Sequence, residues 1–311
     1  VILVRKIQIP WNPEAGFGEH TKIQRNLPKI LEHAWQMKKD GKAEGTIIRA
    51  VNELKRIAKL CDIDDPEQVK AVLAEKKCKN STKQITTQIL TRYYKYKNIT
   101  WQPPEYKREQ SVYFIPTEQE IDALISASSL RIATLLQLLK ETGARIGEIE
   151  KLKWIHIDSE RRTINITAEK GSNSRTLPLS TKLIDMLNKL SRKTDKIFSG
   201  NAHSLRTNFE ALRSRTANKL GNPRLKQIHL HTFRHWKGTI EYHKTKDIIH
   251  VKTILGHKNV ESTMVYINLE QAIFLTQSDE YTCKVATNQK EIIELIETGF
   301  EYITEMDGMK Y

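Results

Sequence analysis

Cysteine is scarce in this chain: Cys61, Cys78 and Cys283 are the three in 311 residues. An odd number without CxxC spacing argues against a disulfide scaffold and against a cysteine zinc site, and fits a reducing cytoplasm. An HExxH pattern is also missing, so histidine-based zinc hydrolysis has no sequence support. No apolar run approaches the roughly 18 residues that a membrane span needs. The opening VILVRKIQIP is too short, and too soon broken by charge, for a signal peptide. Its start at Val rather than Met is expected of a trimmed chain. There is no internal repeat and no low-complexity segment.

What the chain has in excess is positive charge: 51 Lys and Arg against 37 Asp and Glu, a net +14. A pI of about 9.5 suggests a polyanionic partner, although a basic surface alone can exist without one. The excess is uneven. Residues 278–311 hold eight acids against three bases, net −5, which leaves +19 in residues 1–277. The body reads as the nucleic-acid-binding part and the tail as something else.

Hydrophobic periodicity divides the chain. Residues 1–16, with Pro10, Trp11 and Pro13, read as an irregular arm. Residues 17–101 show helical spacing throughout, without strand-like alternation to compete. Pro28 predicts a break or a first turn in the first helix. Asp65 before Pro66 marks another helix start. Residues 102–111 contain two prolines followed by charge and read as a linker. Residues 112–277 open on a capping box, Thr117 with Glu120. They then give helices, a hairpin around Gly171–Ser172–Asn173, and helices again, one with Gly256 as its C-cap. Residues 278–311 carry a possible strand, YTCKVAT, and an amphipathic helix with Ile292, Ile293, Ile296, Phe300 and Ile303 on one face. The expected fold is mainly α with a small antiparallel β-sheet, in two domains.

Six side chains share one chemical purpose: Arg145 in TGARIGEIEKLKW, Lys170 in EKGSNSRTLPL, His231 and Arg234 in HTFRHW, His257 in LGHK, and Tyr266 in STMVYI. Arginine's planar fork matches two phosphate oxygens. A turn lysine can hand a proton to a leaving oxygen. Histidines can donate to the remaining oxygens, and a tyrosine can attack phosphorus where cations favour its phenolate. Each residue has a plainer reading. Arg145 and Glu148 could be a surface pair three residues apart, Lys170 an ordinary turn lysine, His257 a helix cap, and Tyr266 an apolar-face tyrosine. His231 and His235, four apart, could begin a metal site, but a third ligand is wanting. Their joint order and spacing outweigh the separate alternatives.

With these motifs the chain resembles the tyrosine recombinases, or phage-integrase family, over about residues 112–270. The resemblance implies a two-domain clamp, with a helical core-binding domain ahead of the catalytic one. It implies that Arg145, Arg234, His231 and His257 hold the scissile phosphate. Lys170 would protonate the leaving 5′ oxygen, Glu148 would orient the site from behind, and Tyr266 would form a 3′-phosphotyrosine. No metal and no cofactor are implied. The implied partner is double-stranded DNA with inverted-repeat sites, bound by a homo-tetramer, with room for an accessory DNA-bending protein. The protein would be cytoplasmic and DNA-associated. Candidate DNA contacts are Arg92, Lys95 and Lys97 in RYYKYK, and Arg175 after the hairpin tip; Tyr93 or Tyr96 could equally sit in a core.

Two departures stand out. Trp236 follows HxxRH where the family commonly has small residues, and is expected to pack under the site. Gly171–Ser174 has fewer bases than many relatives. The family's C-terminal segment often docks on a neighbouring protomer, and Ile296 and Phe300 are the expected anchors if this one does. The favoured activity is that of a mobile-element integrase. The alternatives are a Xer-type chromosome-dimer resolvase, a type IB topoisomerase-like relaxase, and a non-catalytic DNA-binding relative.

Overall fold

The computed structural model describes residues 17–107, 113–169, 171–274, 286, 288–297, 305–306 and 309–310. The chain divides into two compact units, 1–111 and 112–311. Among the described residues no helix is long and apolar enough to cross a membrane.

Among the described residues the first unit has helices α1 (Phe17–Lys39), α2 (Glu44–Ala58), α3 (Pro66–Glu75) and α4 (Asn80–Lys97). Helix α1 runs unbroken through Pro28, against the sequence expectation. A mid-helix proline withholds one N–H and costs about 3 kcal/mol. Ile30, Ala34 and Met37, which follow it in the same helix, are all buried in the unit's core. Fully burying one large apolar side chain is worth about 1.5–3 kcal/mol, enough to offset the proline. Asp65 caps α3 as expected, accepting from the Glu67 and Gln68 amides.

Glu53 of α2 ties this unit together. Its carboxylate accepts from Lys76 Nζ at 2.6 Å, Thr86 Oγ1 at 2.8 Å and Arg56 at 3.1 Å. Burial pushes its pKa up, but these donors outweigh burial and hold it below the usual range. In α4 the RYYKYK stretch splits cleanly. Tyr93 and Tyr94 are fully buried, while Arg92 and Lys95 are exposed. Lys97 pairs with Glu32 at 3.2 Å.

The second unit begins with α5 (Glu118–Ser126), closed by the reciprocal Thr117–Glu120 capping box. Next come α6 (Leu130–Thr142), which Gly143 ends at φ 58°, and the five-residue α7 (Ile146–Glu150). Strands β1 (Ile157–Asp158), β2 (Thr163–Ile166) and β3 (Arg175–Pro178) form an antiparallel sheet in that order. The expected hairpin is β2–β3, paired from Thr163–Pro178 to Ile166–Arg175; β1 adds a third strand. Helices α8 (Thr181–Asn188), α9 (Ala202–Lys219), α10 (Thr232–Thr245), α11 (Ile248–Leu255) and α12 (Glu261–Phe274) follow. The fold is mainly α with a small antiparallel sheet, as read from the sequence.

The main core of this unit gathers α5, α6, the sheet, α8, α9 and the start of α10. Trp236 belongs to that core, 6 % exposed, with Lys140 Nζ 5.5 Å above its ring. A smaller cluster joins Val251 and Leu255 of α11 to Tyr266 and Leu269 of α12. In the tail, α13 (Gln289–Glu297) leaves Ile293 and Ile296 about half exposed, at 50 % and 56 %. A two-residue pair, β4 (Glu305–Met306) and β5 (Met309–Lys310), lies beyond it. Phe300, Ile303 and all of YTCKVAT except Ala286 lie outside the described residues.

Candidate active site

Helix ends, which leave backbone groups without helical partners, build the centre of the second unit. Arg145 sits at the N-cap of α7, and Glu148, one turn on, accepts from its backbone N–H at 2.9 Å. The Arg145 guanidinium reaches Glu148 Oε1 at only 3.5 Å, and its Nη1 is buried without a hydrogen-bond partner. A buried guanidinium nitrogen without an acceptor calls for an anion.

Glu148 is saturated. Besides the Arg145 amide, Ser172 Oγ donates to it at 2.8 Å, and Arg175 grips both oxygens, at 3.2 Å from Nη1 and 2.9 Å from Nη2. Burial raises its pKa, but the Arg175 fork and the other donors hold it below the usual carboxylate range. Arg175 is therefore not the DNA contact expected from its sequence position. It begins β3 on the inward side of the pleat, with only 4 % of its side chain exposed, and its charge is engaged by Glu148.

His231 immediately precedes α10, and Arg234 lies three residues later on its first turn. Arg234 is 1 % exposed and donates from Nη1 to the Gly143 carbonyl at 2.9 Å and from Nη2 to the Leu255 carbonyl at 2.6 Å. These carbonyls close α6 and α11, so the guanidinium caps two helix C-termini at once. Of its five N–H groups, two are used this way. Burial, helped by the charge of Arg145, lowers its pKa to about 10, so it stays cationic at neutral pH.

His257 follows Gly256, the left-handed C-cap of α11 at φ 68°. A Cβ on Gly256 would lie 2.7 Å from the Asn173 carbonyl oxygen and 2.8 Å from Arg175 Nη1, so only glycine lets the hairpin connection approach. Ser172 and His257 form a β-bridge, and the Asn173 amide donates to the Gly256 carbonyl at 2.9 Å. Burial, then Arg234, Arg145 and Arg175, drive the His257 pKa down to about 3. The imidazole is neutral at pH 7.

Tyr266 lies on α12 at 1 % exposure, its ring parallel to that of His257 with centroids 6.3 Å apart. Gly238 of α10 gives it room: a Cβ there would lie 2.5 Å from Tyr266 Cζ. Burial lifts the phenol to about 12, opposed by the charges of Arg234 and Arg145. Among the described residues its hydroxyl has no hydrogen-bond partner.

His235 stands between these groups, 4.9 Å centroid to centroid from His231, 6.1 Å from Tyr266 and 4.1 Å from Tyr113. Burial, then His231 and Arg234, lower its pKa to about 4. The exposed His231 is lowered too, by lost solvation and by Arg234 and Arg145. Among the described residues no group of three His, Cys, Asp or Glu side chains could hold a metal ion.

Arg145, His231, Arg234, His257 and Tyr266 thus converge, with Glu148 behind Arg145. Lys170 lies outside the described residues. A cleft of about 480 Å³ opens beside Arg145 and His231, walled by Glu169, Arg206 and Phe209. A larger groove, about 540 Å³, is lined by Arg131, Arg215 and Lys219 and by none of the candidate residues, so size does not mark the site. Sequence reasoning missed Ser172, Gly238 and Thr263, which hold Glu148, Tyr266 and His257 in place. Only Ser172, beside a turn glycine, carried any local signal.

The model of the phage integrase family matches residues 116–272. Tyrosine recombinase XerA of Pyrococcus furiosus is 26 % identical over 58 % of this chain and 68 % of its own length. A tyrosine recombinase of Thermosipho africanus is 32 % identical over 49 % of this chain, which spans only 56 % of that relative. Among solved structures, the Tn1549 transposon integrase in complex with transposon right end DNA is similar with a TM-score of 0.61 at 14 % identity, covering 87 % of this chain and 99 % of that one. A lambda integrase dimer bound to a core site gives 0.59 at 14 % identity, covering 76 % and 96 %. At such identities the structural likeness concerns the fold alone.

Proposed function

The chain belongs to the phage integrase family, and from that premise we propose that it cleaves and rejoins DNA through a covalent tyrosine intermediate. The observation that carries this reading is Tyr266, a buried phenol held among Arg145, Arg234 and His257.

Tyr266 Oη attacks the scissile phosphorus, a P–O bond to tyrosine forms, and the bond to the 5′ oxygen breaks. The phenol proton passes to a base, for which His231, held neutral by its surroundings, is suited. Lys170 supplies a proton to the leaving oxygen. Arg145, whose Nη1 makes no hydrogen bond, and the free N–H groups of Arg234 take the non-bridging oxygens. Fixed cations perform the charge stabilisation that a metal supplies elsewhere. The phosphotyrosine keeps the energy of the broken strand, so rejoining is the same step reversed.

Exposed Arg92 and Lys95 are suited to the DNA backbone, and phosphate contacts supply most affinity. The working assembly is a tetramer on two duplexes with inverted-repeat sites, its acidic tail docking between protomers. A mobile-element role is the first reading. A Xer-type chromosomal role is the second, favoured by the similarity to XerA.

The test is a covalent trap: protein with sheared DNA of its source genome, quenched with detergent, with Tyr266→Phe as control. Adducts that vanish in the variant and cluster at one inverted repeat support the reading. Repeats at the ends of an inserted element favour the integrase, and one chromosomal locus the Xer-type role. Dispersed adducts indicate a relaxase, and DNA binding without adducts a non-catalytic relative.

A further inference from the structure

We propose, on the reading of the site given above, that Thr263 is a positioning residue that fixes the His257 imidazole as an Nε2–H donor toward the scissile phosphate. Thr263 lies on α12, three residues before Tyr266, and is fully buried. Its Oγ1 is 2.8 Å from His257 Nδ1.

The direction of that hydrogen bond follows from where the hydroxyl proton can go. A threonine hydroxyl carries one proton, and a buried one needs an acceptor. Among the described residues, His257 Nδ1 is the sole hydrogen-bond partner of Thr263 Oγ1. If Nδ1 carried hydrogen, the hydroxyl could only accept, and its own proton would be stranded in the interior. With Nδ1 bare, the hydroxyl donates and both atoms are satisfied. A neutral imidazole with bare Nδ1 carries its proton on Nε2, because the bond made at one ring nitrogen selects the state of the other. The alternative of a charged ring is opposed by burial and by Arg234, Arg145 and Arg175.

Two consequences follow. His257 can donate to a non-bridging oxygen but cannot accept the Tyr266 proton. The residue that sets this state rides on the helix that carries the nucleophile, so seating α12 and preparing His257 are one event. Were α12 displaced, His257 would lose the hydroxyl that selects its donor form.

The full chain labelled with 15N-histidine gives a readout independent of DNA. His257 should show Nε2–H and bare Nδ1 in the wild type and in Thr263→Ser, and a mixture or the opposite tautomer in Thr263→Val. An Nδ1–H signal in the wild type overturns the proposal. On the duplex recovered from the covalent trap, Thr263→Val should slow adduct formation roughly 10- to 100-fold, part of the effect of losing one transition-state donor. Thr263→Ser should recover most of the rate. In a His257→Ala background Thr263→Val should add nothing; a full further loss there assigns Thr263 a purely structural role and overturns the proposal. A wild-type protein that forms no adduct overturns the phosphotyrosine reading instead, and the tautomer still decides the role of Thr263.

Discussion

Arg175 and Glu148 face each other as a two-pronged ion pair in the interior of the second unit, at 3.2 and 2.9 Å, with 4 % and 0 % of their side chains exposed. Removing one partner strands the other charge, which typically costs about 3–5 kcal/mol. Arg175→Ala should therefore lower the urea midpoint by that equivalent. Arg175→Lys, which keeps the charge but loses the fork, should cost less. Neither should change the salt slope of DNA binding by the folded protein. A slope reduced by about one in folded Arg175→Ala would restore the DNA-contact reading.

Gly238 lies against the Tyr266 ring, where an added Cβ would come within 2.5–2.8 Å of three ring atoms. Gly238→Ala should displace the nucleophile. The expected loss in adduct formation is about 100-fold, as for a misplacement near 1 Å, with about 1–3 kcal/mol of overpacking strain. Unchanged cleavage would mean that the ring is not held where the attack begins.

Acid should destabilise the second unit in two stages. His257 and His235 have folded pKa values of about 3 and 4 against an ordinary 6.5, so below 6.5 the unfolded chain binds more protons. Stability then falls with pH. Glu148, lowered from 4.5, contributes stability that is present above its unfolded value and lost as pH falls through its folded one. Denaturant midpoints should decline from about pH 6.5 downward and more steeply below 4.5. His235→Phe should flatten the first stage; a profile identical to wild type would show that His235 does not titrate on unfolding.

On a random-sequence duplex, Arg92→Ala and Lys95→Ala should each reduce the salt slope of binding by about one, as loss of a phosphate contact does. Lys97→Ala should have less effect, because Lys97 is paired with Glu32. Equal effects at all three positions would mean that the pair opens on DNA.

Local signals in the sequence were sound where the physics is local. The Thr117–Glu120 box, the Asp65 cap and the Gly256 C-cap stand where the sequence put them. Pro28 misled because its penalty is local, whereas the burial that overrides it comes from α2. Arg175 misled for the same reason. Its partner is 27 residues away, and only strand register shows that it points inward. Gly238 acts on Tyr266, which folding brings against it from another helix, so nothing beside it in the chain marks it out. Thr263 lies between His257 and Tyr266 in the chain, but only the turn between α11 and α12 shows that its hydroxyl meets the imidazole.

Arg234 ends α6 and α11 through the Gly143 and Leu255 carbonyls. The side chain proposed to grip the phosphate is thus also masonry. In a lineage that gave up cutting DNA, Tyr266→Phe would leave the packing of α12 almost untouched, whereas any loss of Arg234 would open two helix ends in a dry interior. A decayed descendant would shed its nucleophile long before this arginine, and an intact HxxR box alone would be a poor witness to activity.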